Sequence, residues 1–64
     1  VKRVKWIEQG LRDECVTKTL SIDEAIAQQK AAAAAVRPDF VYETDDQALG
    51  DFLAVHWAWI EVDA

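Results

Sequence analysis

His56 is the single histidine and Cys15 the single cysteine of this 64-residue chain, and they are its nearest approach to a base and a nucleophile. A thiol is activated by nearby positive charge or by a helix N-terminus. Cys15 has the opposite surroundings, following directly on Asp13 and Glu14. His56, read on a helix, falls four residues after Phe52 and three after Leu53, in the middle of an apolar stripe. Asp45, Asp46 and Asp51 do not share that stripe at the spacing a metal ligand or an orienting carboxylate needs. The adjacent Asp45 and Asp46 could mimic paired catalytic acids, but at the start of a helix the positive end of the helix dipole accounts for them. One cysteine permits neither an internal disulfide nor a Cys-rich zinc site. The two glycines, Gly10 and Gly50, lie too far apart for a phosphate-cradling loop. The residues therefore predict no catalytic group, no cofactor and no metal, and a non-enzymatic protein.

Charge narrows the partners. Seven Lys and Arg stand against twelve Asp and Glu, for a net charge of -5. From Pro38 onward there are seven acidic residues and no basic one. A phosphate backbone or an anionic lipid surface attracts the opposite balance, so direct nucleic-acid or membrane-surface binding is not expected. No apolar run approaches the roughly 20 residues of a transmembrane helix. With no basic, apolar leader and no disulfide framework, the expected location is the cytoplasm.

The elements that must position these residues follow from turn and cap signals. A chain of 64 residues with 52% apolar content reads as one small globular domain, 1–64, although 11 of its 33 apolar residues are alanine. Ser21-Ile22-Asp23-Glu24 is a capping box that opens a helix from Ile22 to about Val36, stopped by Pro38. Its apolar stripe is Ile22, Ala25, Ile26, Ala32, Ala33 and Val36, interrupted by Gln29. Thr44-Asp45-Asp46-Gln47 repeats the logic and opens a second helix to about residue 60, in which Gly50 would mark close packing. Phe40 to Glu43 is aromatic and β-branched and reads as a strand. Residues 2–18 suit a hairpin turning near Gln9-Gly10, with a helix as the alternative because Val4, Ile7, Leu11 and Cys15 also keep helical spacing. A strand at Phe40 needs a backbone partner, which favours the hairpin. The fold class expected is α+β, in the order β-β-α-β-α, with a three-stranded sheet and two helices on one face. The alternative is a mostly α chain. A last strand over Trp59 to Val62 is the second choice for the C-terminus, because it leaves little room for a loop after the helix.

The aromatic residues set the functional expectation. Phe52, Trp57, Trp59 and the aliphatics between them spread over an arc of about 200° on a helix, wider than one packing face requires. Tryptophan is enriched at interface hot spots. Leu53, His56, Trp57, Trp59 and Ile60 are thus the expected protein-interaction residues, rimmed by Asp45, Asp46, Asp51 and Glu61. The partner is another protein or a second copy of the chain, with His56 making a dimer sensitive to acid. The alternative reading is an acidic decoy that occupies a basic, nucleic-acid-binding groove of its target.

Overall fold

Val4 and Trp6 alternate with charged residues along the N-terminal segment, so one side of that segment can be buried while the other stays wet. In a computed structural model, which describes residues 1–63, this segment is strand β1 (Lys2–Gln9). It is followed by β2 (Cys15–Ser21), α1 (Ile22–Val36), α2 (Asp45–His56) and β3 (Trp59–Val62). The sheet order is β2-β1-β3, and both pairings are antiparallel. The fold is a small α+β arrangement of three strands in one sheet and two helices.

The hairpin forms as expected, with its turn extending over Gly10 to Glu14. The Gly10 amide donates to the Glu14 carbonyl at 2.6 Å, and Asp13 takes the left-handed conformation (φ 61°) that a three-residue hairpin loop needs at its last position. A Cβ on Gly10 would lie 2.7 Å from Glu14 Cγ, so a side chain there would have to displace the exposed Glu14 side chain. The register pairs Val4 with Leu20, Trp6 with Lys18 and Gln9 with Cys15. Val4 also stands opposite Ile60, and Lys5 opposite Trp59.

Residues directly opposite share a face. Val4, Trp6, Leu20 and Ile60 therefore look toward the helices, while Arg3, Lys5, Ile7, Cys15, Thr17, Thr19, Trp59 and Glu61 look toward solvent. The core sits on the covered face and consists of Val4, Trp6, Ala25 and Phe52, with Leu20, Ile22, Leu49, Leu53 and Ala58 packed around them. Both helices contribute to this one cluster, which places both on the same side of the sheet.

Both helices start where their caps predict. Ser21 Oγ accepts from the Glu24 amide at 3.1 Å and donates to the Glu24 carboxylate at 2.9 Å. Thr44 Oγ1 accepts from the Gln47 amide, while Gln47 Oε1 accepts from the Glu43 amide, one residue before the cap. On α1 the inward stripe is Ile22, Ala25, Ile26, Gln29 and Ala33; Ala32 and Val36, expected inside, are exposed.

The order of elements differs from β-β-α-β-α. Phe40 to Glu43 is not a strand, and the third strand is β3, giving β-β-α-α-β. The alternation in Phe40-Val41-Tyr42 is real, but it serves a local purpose. The Phe40 and Tyr42 rings meet edge to face at 4.9 Å, and the Phe40 amide turns back onto the Arg37 carbonyl. Tyr42 Oη accepts from Gln29 of α1 and donates to Asp51 of α2, so the segment straps the two helices together.

The second helix ends at His56, short of residue 60, because Trp57 adopts the left-handed conformation (φ 54°). The Ala58 amide then closes onto the Leu53 carbonyl at 2.9 Å, a Schellman-type stop whose apolar pair, Ala58 and Leu53, packs on the core. Two residues suffice to turn the chain from helix to strand. Gly50, read as a close-packing position, faces open space.

Candidate interaction surface

Leu53 and His56 stand on the inward side of α2 because they follow Leu49 and Phe52 at helical spacing. Leu53 is half-buried against the core. The His56 ring lies 4.2 Å from the Phe52 ring centre and 5.4 Å from that of Trp6. Trp6 also meets Phe52 edge to face at 5.3 Å. His56 is thus part of an aromatic cluster that closes the end of the core, and Trp6, on β1, is what covers that stretch of α2. Trp6 Nε1 is buried without a hydrogen-bond partner.

The other three expected residues point in different directions. Trp57 is 90% exposed at the helix stop. Trp59 and Ile60 are each partly exposed, but as neighbours on a strand they lie on opposite faces of the sheet. Trp59 shares the open face with Lys5, and Ile60 shares the helix-covered face with Val4. The structure therefore does not bring Leu53, His56, Trp57, Trp59 and Ile60 onto one helix face. Along this end of the chain Val55, Trp57, Trp59, Ile60 and Val62 are all exposed, Trp59 on the open face of the sheet and Ile60 at the margin of the helix-covered one.

Comparison of the chain with protein-family models, curated proteins and solved structures finds no match.

The strand that carries Ile60 and Val62 is pinned electrostatically on the open face. Lys5 Nζ meets Glu61 at 2.7 Å and Asp63 at 3.0 Å, and Arg3 Nε meets Asp63 at 3.2 Å. The Glu61 and Asp63 hydrogen bonds, with their charges behind them, raise the Lys5 pKa despite the opposing effect of desolvation. The chain ends close the same edge, with the Val1 ammonium donating to the Asp63 carbonyl at 2.9 Å and the Asp63 amide to the Val1 carbonyl at 2.7 Å.

No arrangement at other positions adds a chemical group to this picture. Cys15 and Trp6 lie on opposite faces of the sheet, and their register positions are separated by about 10 Å of strand; the sheet itself thus divides Cys15 from the cluster that holds His56. Among the described residues no group of His, Cys, Asp and Glu is placed to hold a metal ion, and no helix is long and apolar enough to cross a membrane. A shallow cleft of about 330 Å³ beside α1 is lined by Lys30, Ala34, Pro38, Phe40, Val41 and Tyr42. Its one ammonium, Lys30, is already engaged with Asp45 at 2.7 Å. Tyr42 donates firmly enough to stay a phenol: the Gln29 bond favours the phenolate, but Asp51 and burial together raise the pKa.

Sequence reasoning missed the stop at Trp57. Its only sequence signal is the apolar pair Leu53 and Ala58 bracketing a helix end, and a tryptophan at the turning position hides it.

Proposed function

We propose that this chain is a small non-enzymatic protein of the cytoplasm that binds another protein through Trp57 and the adjoining strand residues Ile60 and Val62. The observation that supports this reading is Trp57 itself. A bulky side chain in the left-handed region is an outlier, costing roughly 1–2 kcal/mol relative to an ordinary backbone conformation. This one is also 90% exposed, so its indole gains almost nothing from the fold that carries it. Glycine would make the same helix stop without strain. A large aromatic placed where the fold would favour glycine fits a contact made with something else, and tryptophan is the residue type that most often anchors such contacts. Leu53 and His56 act from behind, holding the end of α2 against Trp6.

The test compares wild type with Trp57→Gly as baits in cells of the source organism, followed by calorimetric titration of each enriched protein. A partner that binds wild type and loses at least about tenfold in affinity for a folded Trp57→Gly variant supports the reading. Equal binding by both proteins sinks it.

A second reading, the acidic decoy, draws on charge segregation. The hairpin region up to Ser21 carries five basic and three acidic residues, whereas the remainder carries two basic and nine acidic ones. A decoy would contact its target through the helices, and its affinity would fall steeply with salt; a Trp57-centred contact would hold.

A further inference from the structure

We propose that a second copy of this chain docks on the free edge of β2, antiparallel to it and centred on Thr17, so that two three-stranded sheets join into one of six strands. This surface is separate from the Trp57 contact and does not rest on it.

The hydrogen-bond pattern identifies which groups of β2 are free. In an antiparallel ladder, residues alternate between exchanging bonds with the partner strand and turning their amides and carbonyls outward. The Gly10 to Glu14 bond at the turn sets the phase, so Val16, Lys18 and Leu20 bond to β1. The Val1 and Asp63 bonds set the complementary phase on the other side, giving Arg3 and Lys5 to β3. Both phases agree. The backbone groups of Cys15, Thr17 and Thr19 are therefore the ones that face outward along the β2 edge.

That edge is open apart from one guard, the charge of Lys18. Among the described residues it has no proline, bulge or covering loop, and its register with β1 is continuous over seven residues. Every residue from Cys15 to Thr19 is exposed, and Leu11 at the turn is fully so. The outer half of the hairpin is thus a two-stranded ribbon with no helix against it, an arrangement that is marginal in water by itself. The opposite edge, β3, is only four residues long.

Charge selects the register. Of the twofold axes that let the outward groups meet, one through Val16 pairs only Cys15 with Thr17 within β2, for about four bonds, and one through Thr19 runs the pairing onto Ser21 at the cap of α1; axes through Lys18 and Thr17 engage the strand more fully. An axis through Lys18 would set Lys18 directly against Lys18 of the second copy, which is destabilising. An axis through Thr17 pairs Thr17 with Thr17, Cys15 with Thr19 and Val16 with Lys18, and makes about six new backbone hydrogen bonds. In that register the right-handed twist closes the diagonal from Lys18 to Glu14 of the second copy and opens the one to its Lys18. The pairing occurs twice by symmetry. Because β2 runs into α1 at its Leu20 end, the axis also brings the helix-covered end of each copy beside the bare, turn end of the other. The contact is small for an interface, so the dimer is expected in the micromolar range or weaker.

Sedimentation equilibrium from low micromolar to millimolar protein tests this, with folding checked by circular dichroism. Thr17→Pro removes an outward amide that the fold does not use, and should weaken the dimer about a hundredfold. Lys18→Glu and Glu14→Lys should each weaken it about tenfold, and the double variant should recover wild-type association, which decides the matter even where the proline disturbs folding. In wild type, the amides of Thr17 and Thr19 should gain exchange protection with concentration, while Val16 and Lys18 are protected throughout. Trp57→Gly should leave the dimer unchanged. A monomer at every concentration overturns the proposal, and so does a dimer abolished by Trp57→Gly but indifferent to the β2 variants.

Discussion

Replacing Trp57 by glycine and, separately, by alanine tests the helix stop by the sign of a stability difference. Both substitutions remove the same indole, and since Trp57 is 90% exposed, the burial lost is small and common to both. What differs is the backbone. At φ 54°, alanine keeps the steric penalty of the left-handed region, roughly 1–2 kcal/mol, while glycine does not. Against this, glycine gives up about 0.5–1 kcal/mol through the greater freedom of its unfolded chain. The glycine variant should therefore be the more stable of the two by about 0.5–1 kcal/mol. For a domain of this size that corresponds to a difference in melting temperature of roughly 4–7 °C. Thermal unfolding followed by circular dichroism resolves it. Had α2 continued through Trp57 toward residue 60, the order would reverse, because alanine exceeds glycine inside a helix by about 1 kcal/mol. An alanine variant that melts above the glycine variant would refute the stop, and with it the argument that Trp57 is held in place against the fold's own preference.

Gly50 supplies a control on the same helix. Its position is exposed and a Cβ there meets nothing, so Gly50→Ala should stabilise the protein by about 1 kcal/mol in urea or thermal unfolding, and a loss would show the helix to be constrained at that point. The Lys5 anchor carries a pH signature. Its raised pKa means that its contribution is fully present below the ordinary lysine value of about 10.4 and disappears as pH rises through the higher folded-state value. In alkaline titration, NMR contacts between β1 and β3 should therefore weaken above that range in wild type, with Lys5→Met showing no matching step.

The parts of the fold that were readable before the structure are those whose signals are local. The start of α1 at Ile22 and the start of α2 at Asp45 each follow from a cap contained within a few residues. The hairpin, by contrast, is preferred to a helix because a strand at Phe40 would need a partner, and the hairpin forms although that strand does not. The third strand did not yield to the same reading, because two segments competed for one place and the deciding contacts are distant in sequence. Phe40 to Glu43 has the better strand composition, yet its aromatics are more useful strapping α1 to α2 through Tyr42. Trp59 to Val62 has the weaker pattern and a two-residue approach that works only with a tryptophan in a glycine-like conformation. The expected contact surface failed for the same reason. Helical periodicity carried past His56 puts Trp59 and Ile60 on one stripe with Leu53, whereas strand periodicity sends them to opposite faces. Trp6 covers Phe52 and His56, and its reach stops short of Trp57.

The central strand of the sheet is the first one made. β1 finds β2 across a short turn, an encounter of the microsecond class, but its other neighbour is the last strand in the chain. Between those two events lie both helices, and β3 can dock only after α2 has turned at Trp57. Loop-closure entropy and non-local pairing both slow that final step. Until it happens, β1 offers an open edge on the side that β3 will fill, with Val4 and Trp6 incompletely covered. In any folding route that closes the hairpin first, the strand that carries the buried Val4 and Trp6 is half-paired until β3 docks. The order of the strands along the polypeptide thus leaves the edge of β1 that β3 fills as the last part of the sheet to be protected.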